Sequence, residues 1–269
     1  MGRAKEIIVK VIPSKIANDF VKKHHYSGKS AVNPSVCFGC FLDEKLHGVL
    51  QFGASMQKSN CIDYVVGTKW NEFLELNRMA FDEYLPKYSE SRCISICMKL
   101  LKKNAPHVKW VISFADGTQC GDGTIYRASG FKLLGVTKNS TIHEMPDGFR
   151  FADIGLRASS HLLKKRVGYK LGEKFSTFKQ RTGAKRIEGF QLRYIYLIDK
   201  TCKITVPILP FSKIDEMGAG MYKGKKITLK ERRGNSLTVE RPTIQSEGGV
   251  QFDLAAQITD EKQTHGVSS

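Results

Sequence analysis

Asp116 closes the run Val111-Ile112-Ser113-Phe114-Ala115-Asp116, just before Gly117. A carboxylate at the C-terminal end of an apolar strand stands where open α/β sheets hold their ligands. There it can orient an amino group or accept its proton; its plain structural role is a turn or cap. Tyr126 and Arg127 follow in GTIYRASGF. Arg127 suits bidentate contact with a phosphate or carboxylate; the ordinary roles are a packed aromatic and an exposed arginine. Ser89, Ser91 and Arg92 lie in LPKYSESRCIS, where N–H groups at a helix start can bind phosphate or the serines can simply cap it. His24, His25 and Tyr26 end an earlier helix. Either imidazole is a candidate base, because its ordinary pKa lies near neutrality. His24 with Asp116 or Glu75 is the trial set for a non-haem metal, although no ligand spacing marks one.

Glu75, Asn77 and Arg78 are polar residues inside FLELNRMAF, which otherwise reads as a core strand. Strict alternation puts Arg78 on the face opposite Glu75 and Asn77, and Glu75 and Asn77 are taken to face the site. The block Glu72–Val136 then reads strand, polar turn, helix, strand, polar turn, short helix, strand. Ahead of it come a strand over 6–12, a helix opened by Ser14 and stopped at Gly28, and a hairpin of strands 36–42 and 46–52. Behind it, 151–165 is predicted helical, 192–198 is a strand, and 203–210 is a short apolar strand. From Phe211 a Gly-rich polar extension is expected, loosely held and disordered after Thr243.

The 269 residues suit one large domain with an extension, divided as 1–210 and 211–269. No apolar run is long enough to span a membrane, and the start has no sustained apolar stretch of a secretory leader. No membrane partner and a host-cytoplasmic location are therefore expected. Cys37 and Cys40 form a CxxC, but on a strand they point to opposite faces, and no second pair completes a zinc site. The seven cysteines read as reduced thiols. The charge is +17, with nine Lys/Arg against one acidic residue between Ser160 and Ile187. That concentration favours a polyanion, nucleic acid first. The predicted backbone-binding set is Lys164, Lys165, Arg166, Lys170, Lys174, Lys179, Arg181, Lys185 and Arg186. Tyr169, Phe175 and Phe178 either stack on the nucleic acid or pack the insertion against the main sheet.

The element order resembles the Gcn5-related acyltransferase fold over about 6–137 and 191–198, with a basic insertion at 138–190. The resemblance implies an α/β fold with a mixed central sheet, splayed between the strands 72–81 and 108–116. Acyl-coenzyme A would lie in that splay. It also gives Tyr126 the place of a tyrosine that protonates a leaving thiolate. The family's pyrophosphate loop is glycine-rich; here Pro86–Arg92 contains no glycine, so close backbone approach to a pyrophosphate is not provided for.

LELNRMAF, LPKYSESRCIS and SFADGTQCGDGTIYRASGF together resemble the Mom-type DNA modification proteins of bacteriophages. That resemblance spans about residues 14–137. It implies conversion of adenine in phage DNA to N6-carbamoylmethyladenine, which protects against host restriction. Double-stranded DNA would be the partner, with the target adenine flipped out of the stack. Asp116 would orient the adenine amino group or take its proton, and Tyr26 would stack on the base. The group transferred has the skeleton of glycinamide, so a glycine-derived donor, glycyl-tRNA included, stands beside acetyl-coenzyme A as a candidate. With the tRNA-borne donor, tRNA becomes a second partner. The runner-up is an acyl-coenzyme A N-acetyltransferase acting on a protein, small amine or tRNA. A third reading is a non-catalytic nucleic-acid-binding protein.

Overall fold

The computed structural model describes residues 3–153, 156, 161–222, 225–228 and 231. Elements are numbered here in chain order. The first half runs β1 (Ile8–Val11), α1 (Ser14–His24), β2 (Pro34–Leu42), β3 (Lys45–Gly53), β4 (Phe73–Phe81), α2 (Ser89–Asn104) and β5 (Trp110–Asp116). Then come α3 (Thr124–Ala128), β6 (Lys132–Asn139), β7 (Ile142–Glu144), β8 (Arg150–Ala152), α4 (His161–Val167), α5 (Phe175–Thr182), β9 (Lys185–Arg186) and β10 (Gly189–Leu197). The main sheet has the order β1-β2-β3-β4-β5-β10-β6. It is antiparallel except where β4 meets β5. This is the mixed α/β sheet that the acyltransferase resemblance implies. No helix of the described residues is long and apolar enough to cross a membrane.

Both faces of the sheet are covered. On one face α2 buries Cys93, Ile94, Cys97, Met98 and Leu101, an apolar stripe at helical spacing, against Leu50, Leu76, Val111, Leu192 and Tyr194. On the other, α1 packs Ala17 and Val21 on Cys37, Val49 and Ala80, while Phe73 stacks on Trp110 with ring centroids 4.1 Å apart. Cys37 and Cys40 fall in these two separate cores, as strand alternation requires. The free cysteines Cys37, Cys40, Cys61, Cys93 and Cys97 are buried.

Two irregularities in β4 shape everything that follows. β4 and β5 pair only at Phe73–Trp110, Leu74–Val111 and Glu75–Ile112; beyond Glu75 the two strands part. The β3–β4 ladder also slips, Gln51 facing Arg78 but Phe52 facing Leu76. Asn77 is thus an extra residue, a β-bulge. Before it Leu74 and Leu76 face α2; after it Met79 and Phe81 do, and Ala80 faces α1. The bulge corrects the expectation from strict alternation: Arg78 shares the α1 face with Glu75.

The insertion 140–188 leaves β6 at Asn139 and re-enters at Gly189, two residues that are paired neighbours. It forms its own three-stranded sheet, β8-β7-β9, and its own core of Phe151, Leu156, Val167, Phe178 and Ala184. The helix predicted over 151–165 is corrected at its start, where Arg150–Ala152 is a strand; Asp153 and Leu156 are helical, and His161–Val167 is a helix. The strand predicted over 203–210 is reduced to single bridges, Val65 to Ile204 and Leu133 to Leu209. The loose extension expected from Phe211 is corrected over its first residues, because Ile214, Ala219 and Met221 are buried in the main core. The tail after Thr243 lies outside the described residues.

Candidate active site

A splay exposes backbone groups that a continuous ladder would pair. The Leu76 carbonyl is one of them, and the fully buried Ser113 hydroxyl reaches it at 3.3 Å. The same hydroxyl lies 2.9 Å from the Tyr126 oxygen, to which it can alternatively donate. Tyr126 stacks on Tyr194 at 5.0 Å and meets Phe131 edge-on. Tyr194 in turn donates its O–H to the Asp122 carbonyl at 2.6 Å, and burial pushes its phenol pKa far up. Tyr126 is thereby fixed on the α2 side of the splay, directly behind β5.

The α1 side holds the charged groups. Phe73 and Trp110 point to this face, so Glu75 and Ile112, one alternation on, do too. Phe114 and Asp116 continue the same parity along β5. Asp116 is half-buried, and its Oδ1 accepts the Thr118 N–H at 3.0 Å, so it caps the turn that follows. Arg78 donates from Nε to the Lys29 carbonyl at 2.9 Å and from Nη1 to the Asn77 carbonyl at 2.6 Å. It ties the loop after α1 to the bulge. Buried Gln51 fastens the same loop, accepting from Ala31 N and donating to Asn18 Oδ1 at 2.8 Å.

His25 belongs to that loop. Its Nδ1 accepts the Ser27 N–H at 3.2 Å, which assigns the ring proton to Nε2. Burial, then the Arg78 charge, hold its pKa down at about 4. The ring is neutral at pH 7 and able to accept a proton. Tyr26, 59 % exposed, lies 4.3 Å from it, ring to ring. The depressed pKa has a stability consequence. On acidification the unfolded chain takes up a proton near pH 6.5 that the folded ring refuses until about pH 4. Stability is therefore lost as pH falls through that window, by at most about 2 kcal/mol for a half-screened ring. In His25→Gln, urea unfolding between pH 7 and 4 will lose this part of the slope; an unchanged slope refutes the assignment.

Arg193 on β10 is a site residue that the sequence reading passed over. It faces Phe114 in the ladder, and its guanidinium lies 5.0 Å from the Tyr64 ring and 5.9 Å from the Phe114 ring. Its Nε is buried with no hydrogen-bond partner among the described residues. The signal was in the sequence: one arginine inside the apolar run LRYIYLI.

The other predicted residues are dispersed. His24 stacks on Phe20 at 4.3 Å and has Asp82 and His47 as electrostatic neighbours, so the trial metal set with Asp116 or Glu75 is not assembled. Among the described residues no group of three His, Cys, Asp or Glu side chains could hold a metal. Ser89 is fully buried and donates to the Pro86 carbonyl at 2.6 Å. Ser91 donates to the Tyr88 carbonyl at 3.2 Å. Ser91 and Arg92 line a groove of about 350 Å³ with Tyr88, Ser95 and Lys99. Arg92 donates to the Lys5 carbonyl at 3.1 Å, and its Nε is buried without a partner among the described residues. Tyr88, with φ 69°, adopts at the start of α2 the left-handed conformation that a glycine takes without strain. Arg127 is exposed and lies over Phe211 at 5.4 Å, away from the splay.

In the insertion, Lys165, Lys170, Lys174, Lys185 and Arg186 are exposed, and Lys164 and Lys179 are partly so. Two arginines are engaged within the fold. Arg181 grips Glu173 through two bonds of 2.8 Å and donates to the Gly168 carbonyl; Arg166 pairs with Asp147 at 2.7 Å and covers the Phe149 ring. Arg181 holds the Glu173 carboxyl down at about 2. Phe178 is fully buried, so it packs rather than stacks on a ligand, and the core it joins is the insertion's own. Phe175 and Tyr169 pack against it.

Known proteins can be set beside this geometry. "Methylcarbamoylase mom" of Escherichia phage Mu is 35 % identical over 156 residues, 58 % of this chain and 64 % of the phage protein. The match thus spans less than two thirds of that relative's length. Among solved structures, a Bacillus subtilis acetyltransferase in complex with CoA covers 71 % of this chain and 98 % of its own, at 11 % identity and TM-score 0.40. The ribosomal-protein-S18-alanine N-acetyltransferase of Escherichia coli gives 71 % and 94 %, at 9 % identity and TM-score 0.42. The Mom protein family matches residues 6–213, the whole sheet with its insertion, and the chain belongs to that family.

Proposed function

We propose that this chain is a transferase that places a carbamoylmethyl group on N6 of adenine in double-stranded DNA. What supports the reading, in a member of the Mom family, is that Glu75, Arg78 and Asp116 share one face of the sheet where β4 and β5 part, with the Arg78 charge acting on neutral His25. Adenine N6 is a weak nucleophile, its lone pair delocalised into the ring, and it is shielded within a stacked duplex. The base must be flipped out, and a proton must leave as the N6–CH₂ bond forms. Asp116 or His25 would accept that proton, while Tyr26, exposed at the rim, would stack on the extruded base. Tyr126, polarised by Ser113 when that hydroxyl donates to it, would deliver a proton to the leaving group from the α2 side.

The donor would enter from that side. Acetyl-coenzyme A cannot by itself supply the amide nitrogen of the product, so a glycyl ester of tRNA fits the atoms transferred. The glycine nitrogen bonds to its own carbonyl carbon as the ester C–O bond to tRNA breaks, N6 bonds to the CH₂ as the CH₂–N bond breaks, and the tRNA leaves as a free hydroxyl. The groove beside Ser91, Arg92 and Lys99 offers hydroxyls and positive charge for its phosphates. The exposed lysines of the insertion would hold the duplex by its backbone without reading sequence. Lys170→Ala and Lys174→Ala will each lower the slope of log affinity against log salt by about 1. Arg181→Ala will act on folding instead, because it leaves the Glu173 carboxylate without its partner. Equal salt slopes in all three variants would remove the insertion from the DNA interface.

The test is nucleoside mass spectrometry of DNA from cells making the full chain, with an Asp116→Ala control. A carbamoylmethyl-adenosine absent from the control supports the reading. Unmodified DNA from cells that supply the relevant phage and host factors, with folded protein present, refutes it.

A further inference from the structure

Arg193 is a charged residue in a strand whose neighbours along the same face, Ile195 and Leu197, are buried in the Trp110 core. A guanidinium so placed has lost much of its water, and its Nε recovers no hydrogen bond among the described residues. Tyr64 and Phe114 lie against its π-face and leave its edge as the donor side. Gly135, its partner on β6, contributes no side chain; even a Cβ there would come no nearer than 3.8 Å to the guanidinium. Glu75 stands on the same face on the far side of β5, on the last paired residue before the strands part. Two strand spacings, about 10 Å of backbone, separate the rows from which the two side chains rise. Both charges act on the buried Cys61 thiol, Arg193 lowering its pKa and Glu75 raising it.

We infer that Arg193 and Glu75 form a recognition pair for a planar group carrying an amino donor next to an acceptor atom. Arg193 donates to the acceptor, and the Glu75 carboxylate accepts from the amino group. This rests on the proposed reaction, which brings two such groups to the splay: the adenine edge, with its 6-amino group beside a ring nitrogen, and the primary amide that the transferred group carries in the product. A carbonyl or carboxylate in place of the amino group would set oxygen lone pairs against Glu75, and a bare C–H would leave the Glu75 carboxylate unpaired. The pair therefore selects ligands as well as holding them.

The experiment measures two preferences on the full chain. The first is affinity for an oligonucleotide carrying one adenine over the same oligonucleotide with purine, which lacks the amino group. The second is inhibition of modification by glycinamide over glycine. Arg193→Lys keeps the charge without the fork, Arg193→Met keeps the bulk, and Glu75→Gln replaces the anion should either arginine variant fail to fold. Loss of the adenine preference by about tenfold or more places the base edge on the pair. Loss of the glycinamide preference places the amide of the transferred group there. If the folded variants keep both preferences, or the unaltered protein has neither, the inference is wrong. An unaltered protein that prefers adenine yet modifies no DNA refutes the proposed reaction and leaves the pair standing.

Discussion

Asp116→Asn will cut adenine modification by about a thousandfold while leaving the fold intact. The two roles of this residue separate cleanly. The amide oxygen of Asn can still accept the Thr118 N–H that Asp116 Oδ1 accepts at 3.0 Å, so the turn after β5 remains capped. What Asn cannot do is take up a proton. Asp116→Ala loses both functions, and the missing cap costs about 1 kcal/mol. Rates from nucleoside analysis, set beside urea midpoints, decide the matter. An active Asn variant with an inactive Ala variant would reduce Asp116 to a cap and transfer the base role to His25.

Gly123→Ala will disable the enzyme from the other side of the sheet. Gly123 has φ 69°, which costs a residue with a Cβ about 1 kcal/mol or more. The larger problem is space: a Cβ would collide with the Tyr194 hydroxyl and lie 2.6 Å from its Cζ. Tyr194 cannot retreat, being fully buried and bonded to the Asp122 carbonyl. The total is expected at about 3 kcal/mol, overpacking added to backbone strain. Tyr126 stacks on Tyr194, so its hydroxyl moves off Ser113 and the modification rate falls with it. Thermal unfolding and single-turnover modification of Gly123→Ala check both parts. A variant as stable and as active as the parent would show that this corner yields.

The sequence made the main sheet legible because its strands and helices carry one dominant period each. α2 reads as a helix from Ile94, Cys97, Met98 and Leu101, and all four are buried in the structure. β4 was legible as a strand but not in its facing. Alternation holds up to Leu76, and nothing in FLELNRMAF announces that Asn77 bulges; the bulge is a property of the pairing with β3. Arg78 moved faces for that reason. The insertion was legible as charge alone, since strands of two or three residues carry no measurable period. The Arg181–Glu173 grip is likewise hidden, as eight positions of separation match no helical spacing. The absence of glycine from Pro86–Arg92 was read correctly, but not that Tyr88 would take up the left-handed turn itself.

The pairing of Asn139 with Gly189 has an evolutionary consequence. The polypeptide departs from the sheet and rejoins it at adjacent points, and what lies between carries its own apolar core. Lengthening, shortening or exchanging that stretch leaves the registration of β6 with β10 untouched, because no chain end has to travel. Descendants of one body can thus acquire different appendages by recombination at this hydrogen-bonded doorway, without disturbing the sheet. Chimaeras that trade residues 140–188 between relatives should keep the reaction and change what is presented to it.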